Sequence, residues 1–382
     1  MSTYNWVSVA SICVLTNVHG PFDTRIFHKQ ARSLEQNGYD VTLLAPVDEP
    51  DYRDGIDIVP VGAHTSRIDR WTNLSTVYRR ARHLDADLYH LHDPELLPLG
   101  AALSKRTSGK VIYDVHEDFA TTLEHRDWVP EPVEPLLTGS ITNVQARMAD
   151  FVDAVVTATE WIARPFHEHG IEPCLTVRNF PNTERIGTVT PTLDVDQEHL
   201  LGYVGGLSER RGLHRMLACT RRLVTDGVDA GLVLVGPFND PDADEYTTEF
   251  LQRHDLENRV HLTGYLDYED LFGVLAAADV GLVLADPAVY EFVISTKMFE
   301  YMYCSLPVVA TRTPSIKKYL PTDAGVTVDY GAPDEQYAAI RDLLLDDKRR
   351  VAMGARGHEA VEETYNWGVE AQRLLDLYDE LL

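Results

Sequence analysis

The chain alternates short, nearly continuous apolar runs with longer stretches in which apolar residues recur every three or four positions. The runs in the first half are SVASICVLT, VTLLA, LYHLH, KVIYDVH and FVDAVVTAT. Between the first two lies a stretch that opens at Asp23 and has apolar side chains at helical spacing, at Ile26, Phe27, Ala31 and Leu34. Buried strands that alternate with helices are typical of a parallel sheet covered on both faces. The pattern therefore predicts a doubly wound α/β fold.

The same alternation stops once and then starts again. The polar segment VRNFPNTERIGTVTPTLDVDQEH interrupts it, and the runs LLGYVGG, AGLVLVG, VHLTGY, DVGLVLA, LPVVA and AGVTVD follow. Prolines and clustered polar residues between periodic segments indicate a linker, and a chain of 382 residues is long enough for two cores. We predict a first domain at residues 1–183, a linker at 184–198 and a second domain at 199–365. The remaining residues, 366–382, predict an amphipathic helix available for docking.

Charge narrows the classes of partner. Acidic residues outnumber basic residues by 60 to 34, which gives a formal net charge of −26. Such a surface repels nucleic acid and anionic lipid at long range, so we expect no nucleic-acid partner. We interpret the excess as an adaptation to the high-salt cytoplasm of a halophile, and an ordinary acidic enzyme is the alternative. No apolar run has the length of a membrane span, and the four cysteines are scattered, which favours a reduced, cytoplasmic protein.

The stretch ISTKMFEYMY predicts a short helix that begins at Ser295 or Thr296. The first N–H groups of a helix have no internal partner and attract a diphosphate, and Lys297 adds a full charge there. Glu300 lies on the same face as Lys297, where its carboxylate can accept hydrogen bonds from both hydroxyls of a ribose. The alternative is purely structural. In that case Ser295 or Thr296 only caps the helix, while Lys297 pairs with Glu300.

Two further strand-end segments of the second domain fit a phosphorylated ligand. In YVGGLSERRG, Gly205 and Gly206 let the backbone approach a phosphate, and the arginines at 210–211 can pair with it. The alternative is a tight turn before a helix, with solvated arginines. In TGYLDYED, Tyr265 follows another strand at the same edge.

Histidines mark the strand ends of the first domain. HLHDPE places His90 and His92 on one face of a strand, with Asp93 at its end, and DVHEDF places His116 at the end of the next strand. Together they predict a polar pocket, although a His-x-His pair also suits a metal ion and a single strand-end histidine is often structural.

A third loop faces the same edge. It contains Gly20, which allows close approach of a ligand, together with Asp23 and Arg25; Asp23 equally suits a helix cap. The acidic pair at 117–118 directly follows His116.

These motifs, in this order, resemble those of the family-4 retaining glycosyltransferases of the GT-B fold. The likeness runs from HGPFDTRIFHKQARSLEQNGYDVTLLA through LYHLHDPELLPLG, VIYDVHEDF, VRNFPN, GYVGGLSERRGL and STKMFEYMYCSLPVVAT to YNWGVEAQRLLDLY. The resemblance implies two Rossmann-like domains that face each other across a cleft, with the C-terminal helix returning to the first domain. It also implies that the first domain binds an acceptor, that the second binds a nucleotide-sugar, and that anomeric configuration is retained.

The sequence departs from the family pattern at two positions. The family often carries an acidic pair spaced Glu-x7-Glu. Glu300 matches the second member, whereas the first falls at Phe292, with Glu291 one place away. The family also often has an arginine after the glycine of the phosphate loop, where this chain has Gly206. The arginines at 210–211 are then expected to supply the positive charge.

The sequence therefore predicts an enzyme that moves a sugar from a nucleoside-diphosphate sugar to a hydroxyl acceptor, in the synthesis of a cell-surface glycan, polysaccharide or glycolipid. Electrostatic stabilisation of the leaving diphosphate then requires no metal or other cofactor. We expect a glycan or lipid-linked acceptor and a peripheral association with the inner face of the membrane. The predicted catalytic residues are His116, Arg211 and Lys297. The predicted donor contacts are Gly205, Gly206, Arg210, Tyr265, Thr296 and Glu300. The predicted acceptor or sugar contacts are Gly20, Arg25, His92, Asp93 and Glu291.

Two alternatives stay open. A metal-dependent hydrolase would use His90, His92, Asp93 and His116 as ligands, but it would need further ligands at later strand ends, where GYVGG, GLVLVG and GLVLA supply none. A non-catalytic nucleotide-sugar-binding protein would keep the second-domain site without needing the histidines.

Overall fold

The computed structural model describes residues 9–63, 66–116, 145–239 and 241–382, so the acidic pair at 117–118 lies outside the described residues. The chain divides into two compact units. The first unit contains Met1–Asn179 and Trp367–Leu382, and the second unit contains Phe180–Asn366.

The boundary between the units lies a few residues before the predicted one, and residues 184–198 belong to the second unit rather than to a separate linker. Hydrogen bonds explain this difference. The Tyr303 hydroxyl donates to the carbonyl oxygen of Gly187 at 2.9 Å, and the Thr192 N–H donates to the carbonyl oxygen of Gly273 at 2.9 Å. The polar segment is therefore tied along the second unit.

The first unit is built on an eight-stranded sheet with the order β3-β4-β2-β1-β5-β6-β7-β8. All neighbouring strands are parallel except β3 and β4. The strands are β1 Ser11–Leu15, β2 Asp40–Ala45, β3 Asp51–Arg53, β4 Ile56–Pro60, β5 Leu88–Leu91, β6 Lys110–Val115, β7 Ala154–Thr157 and β8 Cys174–Thr176.

Helices cover this sheet, and most follow the expected apolar spacing. The stretch that opens at Asp23 forms a π-helical segment, Ile26–Ala31, which continues into α1. Just before this segment, Asp23 Oδ1 accepts the N–H groups of Arg25 and Ile26 at 2.8 and 2.9 Å. The helices are α1 Arg32–Gln36, α2 Arg67–Leu84, α3 Leu97–Arg106 and α4 Glu160–Glu168.

The C-terminal helix, Trp367–Leu381, packs in the first unit. The Trp367 indole N–H donates to Ser33 Oγ at 2.8 Å, and the Tyr378 hydroxyl lies 2.7 Å from His90 Nδ1. The C-terminal helix thus completes the core of the first unit.

The second unit is built on a six-stranded parallel sheet with the order β11-β10-β9-β12-β13-β14. The strands are β9 His199–Val204, β10 Ala230–Val235, β11 Val260–Gly264, β12 Val280–Val283, β13 Val308–Thr311 and β14 Gly325–Val328. The helices are α5 Thr183–Ile186, α6 Leu213–Thr225, α7 Pro241–His254, α8 Tyr268–Leu275, α9 Pro287–Tyr290, α10 Thr296–Tyr303, α11 Pro314–Tyr319, α12 Pro333–Leu344 and α13 Asp347–Glu363.

One buried tyrosine opens the second sheet at its carboxyl edge. Strands β9 and β12 pair only through Val280 and Gly281. A Cβ on Gly281 would lie 2.4 Å from the ring of Tyr301, a fully buried residue of α10. The Tyr301 hydroxyl accepts the N–H of Val204 at 2.9 Å, where a neighbouring strand would otherwise bond. The two strands therefore separate toward their carboxyl ends and leave room for a ligand.

Across the part of the chain that the structure describes, no helix is both long and apolar enough to cross a membrane. The four cysteines are free thiols.

Candidate active site

Each sheet has a point where the strand order reverses, and candidate site residues lie at both points. In the first unit β1 lies between β2 and β5, and in the second β9 lies between β10 and β12. Loops at such a switch point diverge to opposite faces of the sheet and leave a crevice for ligands. The two crevices are described separately below.

In the second unit, two cations converge on the backbone of Gly205. This residue follows β9 with φ at +125°, a conformation that favours glycine. A Cβ placed there would lie 2.9 Å from Lys297 Nζ and 3.4 Å from an Arg211 Nη atom. The absence of a side chain therefore leaves an opening between two positive charges, which suits a negatively charged group such as a phosphate.

Tyr203 holds Lys297 in this position. The Lys297 ammonium donates to the Tyr203 hydroxyl at 3.0 Å and lies 4.3 Å from the ring centroid. The Tyr203 hydroxyl in turn donates to the carbonyl oxygen of Gly206 at 3.0 Å. Burial, and then the nearby Arg211 guanidinium, lower the pKa of Lys297 to about 7, although Glu300 partly opposes them. With this pKa, the Lys297 side chain is only partly protonated near pH 7.

A pocket of about 170 Å³ opens beside these cations. Its polar wall includes Arg211, Lys297 and the first residue of α10, Thr296. Ser295 occupies the N-cap position of α10 but makes no side-chain capping bond, so the purely structural explanation by Ser295 fails. The apolar lining consists of Val283, Ala285, Val293, Ile294 and Ile316.

Tyr290 and Thr311 are among the pocket residues that were not identified from the sequence. Tyr290 accepts a hydrogen bond from Arg211 Nε at 3.1 Å and so aims the guanidinium. Thr311, at the end of β13, lines the pocket with a buried hydroxyl that has no hydrogen-bond partner among the described atoms. The available signal was only its place after the apolar run LPVVA.

The remaining predicted donor residues lie around the pocket at different distances from it. Arg211 lines the pocket, whereas Arg210 is exposed and outside the lining. A Cβ on Gly206 would meet the Asn239 side chain rather than the pocket. Tyr265 is 77% exposed beyond β11, two strands from the switch point. β11 lies away from the switch point because β10 separates it from β9.

Glu291 and Glu300, the acidic residues nearest to the family's Glu-x7-Glu positions, lie in different elements. Glu300 lies four residues along α10 from Thr296 and is half-buried. Glu291 is exposed after α9, and its carbonyl oxygen accepts the Ser315 hydroxyl at 3.1 Å. Phe292, which stands where the family often has the first glutamate, is 45% exposed.

In the first unit, a fully buried carboxylate organises the site. Asp114, near the end of β6, accepts Arg25 Nη2 at 2.9 Å and Gln30 Nε2 at 2.7 Å on one oxygen. Its other oxygen lies 3.2 Å from both Arg25 Nε and His116 Nδ1. Burial alone would raise the pKa of Asp114, but the Arg25 guanidinium and the hydrogen bond with His116 hold it well below its usual range. Asp114 is therefore an ionised acceptor.

Four histidine rings form a row beside Asp114. The ring centroids of His90 and His92 are 4.6 Å apart, those of His92 and His116 are 5.8 Å apart, and those of His116 and His19 are 4.8 Å apart. Burial lowers the pKa of His90 to about 4 and holds that of His92 well below its usual range. The imidazoles of His90 and His92 are therefore neutral near pH 7. His116 and His19 are half-buried.

The side chains of this cluster are close enough together for us to ask whether they could bind a metal ion. Within the described ranges, His90, His92 and Asp114 offer ligand atoms that all lie within 4.8 Å of one another. However, each oxygen of Asp114 already has two donors, and Arg25 neutralises its charge. A metal would have to displace these bonds in a region without solvent. We therefore assign no metal to this cluster.

The burial of the first-unit residues corrects part of the predicted acceptor site. Arg25, His92 and Asp93 are only 3%, 2% and 1% exposed, so their side chains support the site rather than line it. Gly20, by contrast, faces open space, since a Cβ there would meet nothing within 4 Å. His19, beside it, was not identified from the sequence. The signal was a fourth histidine at the same sheet edge, in NVHG.

Comparisons with known proteins agree with this architecture. The profile of the Glycosyl transferase 4-like domain matches residues 24–179, and the profile of Glycosyl transferases group 1 matches residues 198–346. Among solved structures, sucrose-phosphate synthase from Thermosynechococcus elongatus superposes with a TM-score of 0.75 at 18% identity, covering 97% of this chain and 99% of that one. Anabaena Alr3699/HepE, solved with UDP, superposes with a TM-score of 0.74 at 15% identity, covering 97% and 100%.

A curated relative shows a shorter match. It is the GDP-mannose-dependent monoacylated alpha-(1-6)-phosphatidylinositol monomannoside mannosyltransferase of Corynebacterium glutamicum, 26% identical over 175 residues. The match covers 45% of this chain and 44% of the relative, so the chain spans less than half the length of that relative. The two family profiles together cover most of both units, and the chain therefore belongs to the group 1 glycosyltransferases, with the GT-B fold.

Proposed function

We propose that the protein is a retaining glycosyltransferase that moves a sugar from a nucleoside-diphosphate sugar to a hydroxyl acceptor. One observation carries the proposal: Lys297 and Arg211 converge above Gly205, at the switch point of the second sheet. In a chain with a net charge of −26, two cations held beside an open pocket point to an anionic ligand.

The reaction needs these charges when the glycosidic bond breaks. Negative charge then grows on the leaving diphosphate, and preorganised positive groups stabilise it more than they stabilise the intact donor. Arg211 and Lys297 supply this charge, and the start of α10 at Thr296 adds N–H groups that suit a phosphate. Glu300, one turn further along α10, is the proposed acceptor for the ribose hydroxyls. No metal is required in this scheme.

The first unit is the proposed site of the acceptor. Gly20 leaves the edge of this unit open, and His116 is half-buried there, held by Asp114. We assign to His116 the orientation of hydroxyls near the reacting sugar. The buried Arg25, His92 and Asp93 keep the loops of this edge in place.

The donor and acceptor follow from the relatives only as candidates. Anabaena HepE was solved with UDP and the corynebacterial relative is named for GDP-mannose, so UDP and GDP donors are the first to test. A lipid-linked or glycan acceptor fits a role in cell-surface glycan or glycolipid synthesis. Four free thiols fit a reducing, cytoplasmic location.

A basic surface on α2 supports peripheral association with a membrane. Three of its arginines, Arg79, Arg80 and Arg82, are exposed, whereas Arg70 pairs with Glu95. Trp71 on this helix is 63% exposed. Arg106 of α3 donates to the hydroxyl of Tyr78 on α2 at 3.1 Å and so extends the basic surface. Exposed arginines and an exposed tryptophan on one helix suit an anionic membrane surface, against the negative charge of the whole chain.

Donor binding followed by product detection tests the proposal. We expect UDP or GDP to raise the melting temperature. We also expect the corresponding nucleotide-sugar to release UDP or GDP when acceptors are added in the presence of EDTA. Arg211→Ala should weaken diphosphate binding and slow transfer, whereas Arg221→Ala, an exposed arginine outside the donor pocket, should do neither. Binding without any transfer would support the alternative of a non-catalytic nucleotide-sugar-binding protein. Activity that is lost in EDTA and restored by one divalent ion would support a metal-dependent reaction.

Glu300→Gln tests the ribose contact. Loss of a charged acceptor costs roughly 1.5–3 kcal/mol, so nucleoside-diphosphate affinity should fall at least about tenfold. Equal affinity by calorimetry would remove Glu300 from the donor site.

A further inference from the structure

The second unit has a second pocket, of about 330 Å³, apart from the donor pocket. It lies between α6 and the segment that runs from Tyr330 into α12. Among the described residues, no side chain lines both pockets. The donor site proposed above therefore leaves this second pocket without a role.

Arg215 brings a positive charge to the second pocket that no acidic side chain balances. Its guanidinium carbon lies 3.5 Å from the ring centroid of Tyr330, and the side chain is half-buried. Across the part of the chain that the structure describes, no carboxylate pairs with this guanidinium. Stacking occupies the face of a guanidinium and leaves the N–H groups at its edge free for a ligand.

Arg222, two turns further along α6, repeats this arrangement. Its guanidinium carbon lies 4.0 Å from the ring centroid of Tyr337, and the Tyr337 hydroxyl is fixed by donating to Asp226. Arg222 also pairs with Asp334, whose side chain is 88% exposed, so water weakens that pair. Two guanidinium groups are thus held in place on tyrosine rings in one pocket, which reduces the entropy lost when they bind an anion.

The acidic side chain in the lining does not cancel these charges. Glu209 lines the pocket, but its side chain is 75% exposed and lies beside His214, with its oxygen 3.7 Å from His214 Nδ1. Arginines outnumber acidic side chains in the lining, in a chain whose net charge is −26. The second pocket is therefore a local exception to the acidic surface.

A buried amide adds a hydrogen-bond acceptor. Gln336 is 1% exposed, and its Nε2 donates to the carbonyl oxygens of Asp329 and Tyr330 at 2.9 and 3.0 Å. Because these two carbonyl oxygens can only accept, the nitrogen must occupy that side of the amide. Oε1 on the other side has no hydrogen-bond partner among the described atoms, although Gln336 lines the pocket. A ligand that donates a hydroxyl would satisfy it.

We propose that the second pocket binds a sugar that carries an anionic group, a phosphate or a carboxylate. The N–H groups of Arg215 donate to the anionic oxygens, Arg222 adds charge beside them, and a sugar hydroxyl donates to Gln336 Oε1. A free sugar phosphate and a charged residue of a glycan share this chemistry. The proposal goes beyond the glycosyltransferase function and does not depend on it.

Calorimetry with glucose 1-phosphate and glucuronate tests the proposal, with neutral glucose as the comparison. The titrations use the Arg211→Ala variant beside the wild type, because the donor cations also attract anions. We expect both anionic sugars to bind Arg211→Ala at one site per chain, and glucose not to bind at the same concentrations. Adding Arg215→Gln should lower the affinity at least about tenfold. Arg253→Gln is the matched control, since Arg253 is an exposed arginine of the same unit that pairs with Glu249.

Further titrations separate the contacts and the source of the ligand. Tyr330→Leu keeps the charge of Arg215 but removes the ring beneath it, so affinity should fall several-fold without a change in net charge. Inorganic phosphate, which lacks sugar hydroxyls for Gln336, should bind more weakly than glucose 1-phosphate. Tighter binding of trigalacturonate than of galacturonate would identify a glycan as the source, and equal binding would identify a free sugar.

Three results would overturn the second site. They are the absence of binding by both anionic sugars to Arg211→Ala, equal binding of glucose, and an unchanged affinity in Arg215→Gln. Each of these results would leave the proposed function standing, because that function is judged by nucleotide binding and sugar transfer at the donor pocket. Failure of sugar transfer would likewise leave the second site standing.

Discussion

At the scale of single residues, burial decides what each charged side chain of the site can do. Lys297 and Arg211 face an opening with their charges incompletely balanced, whereas Arg25 is enclosed with Asp114. The unbalanced pair Lys297 and Arg211 favours binding of an anion, whereas the buried pair Arg25 and Asp114 stabilises the fold. Three predictions follow from single residues.

The affinity for a nucleoside diphosphate should depend on the protonation of Lys297. Burial lowers the pKa of this ammonium to about 7 in the free protein, and a bound diphosphate stabilises the charged form. Binding should therefore take up a proton, and affinity should fall by up to about tenfold per pH unit as the pH rises above 7. Calorimetry in buffers of different ionisation enthalpy measures this uptake. Lys297→Arg, which stays charged, should show neither effect; the same pH dependence in that variant would contradict the prediction.

Gly205→Ala should block the phosphate opening. The added Cβ would lie 2.9 Å from Lys297 Nζ, so diphosphate affinity should fall at least about tenfold. The strained backbone should also cost about 1–3 kcal/mol of stability. Gly227→Ala is the matched control, because Gly227 also has a positive φ, +83°, but open space around it. Its stability should fall in the same range while affinity is kept. Equal affinity losses in both variants would show that strain, and not blockage, is responsible.

Acid should destabilise the first unit through its buried histidines. The pKa of His90 is about 4 in the folded protein and near 6.5 when exposed, so unfolding takes up a proton between these values. Stability is complete above about pH 6.5 and falls as the pH drops toward 4, by about 3 kcal/mol for His90. Urea denaturation at several pH values measures the loss. His90→Gln should reduce it, whereas His167→Gln, an exposed control, should not.

At the scale of elements, short helices at strand ends position the candidate site residues. α10 is only eight residues long, yet it carries Lys297 and Glu300 and inserts Tyr301 between β9 and β12. Its length and spacing were predictable because helix periodicity is local. The separation of the strands was not, because it depends on how Tyr301 packs against Gly281.

The basic face of α2 should bind anionic membranes. A variant in which Arg79, Arg80 and Arg82 are changed to Gln should lose binding to phosphatidylglycerol vesicles, and the wild type should bind phosphatidylcholine vesicles weakly. Binding should fall as salt is added, since the attraction is electrostatic. The matched control changes three exposed arginines of the second unit, Arg221, Arg253 and Arg349, to Gln. Equal vesicle binding by both variants and the wild type would exclude α2 as the membrane surface.

At the scale of the whole molecule, charge and topology set the conditions in which the site works. The net charge of −26 repels itself in the compact state, while the two parallel sheets bring residues from distant parts of the sequence to each switch point. Charge composition is readable from the sequence alone. The neighbours of each strand are not.

Salt should stabilise the folded protein. Raising KCl from 0.1 to 1 M shortens the Debye length from about 10 to about 3 Å and screens the repulsion among surface carboxylates. We expect the free energy of unfolding to rise over this range, measured by denaturation at constant pH. Sucrose at equal osmolality controls for general exclusion effects. A flat or falling response to KCl would contradict the adaptation to high salt inferred from composition.

The sequence by itself determined the class of fold and the place of each candidate group along its element. Apolar runs, helix spacing and turn residues are local properties, so they located most of the strands, α10 and the groups at the strand ends, including Lys297 and His116. They missed the short strands β3, β4 and β8. They also determined the acidic balance.

Only the tertiary structure decided which of these groups meet and which are enclosed. It selected Arg211 over Arg210 for the pocket, buried Arg25 against Asp114, and brought His19 to His116 across 97 positions of sequence. The physical reason is that strand order and burial arise from packing between elements distant in the chain. No local pattern encodes the distance between two side chains that meet only after the sheet has formed.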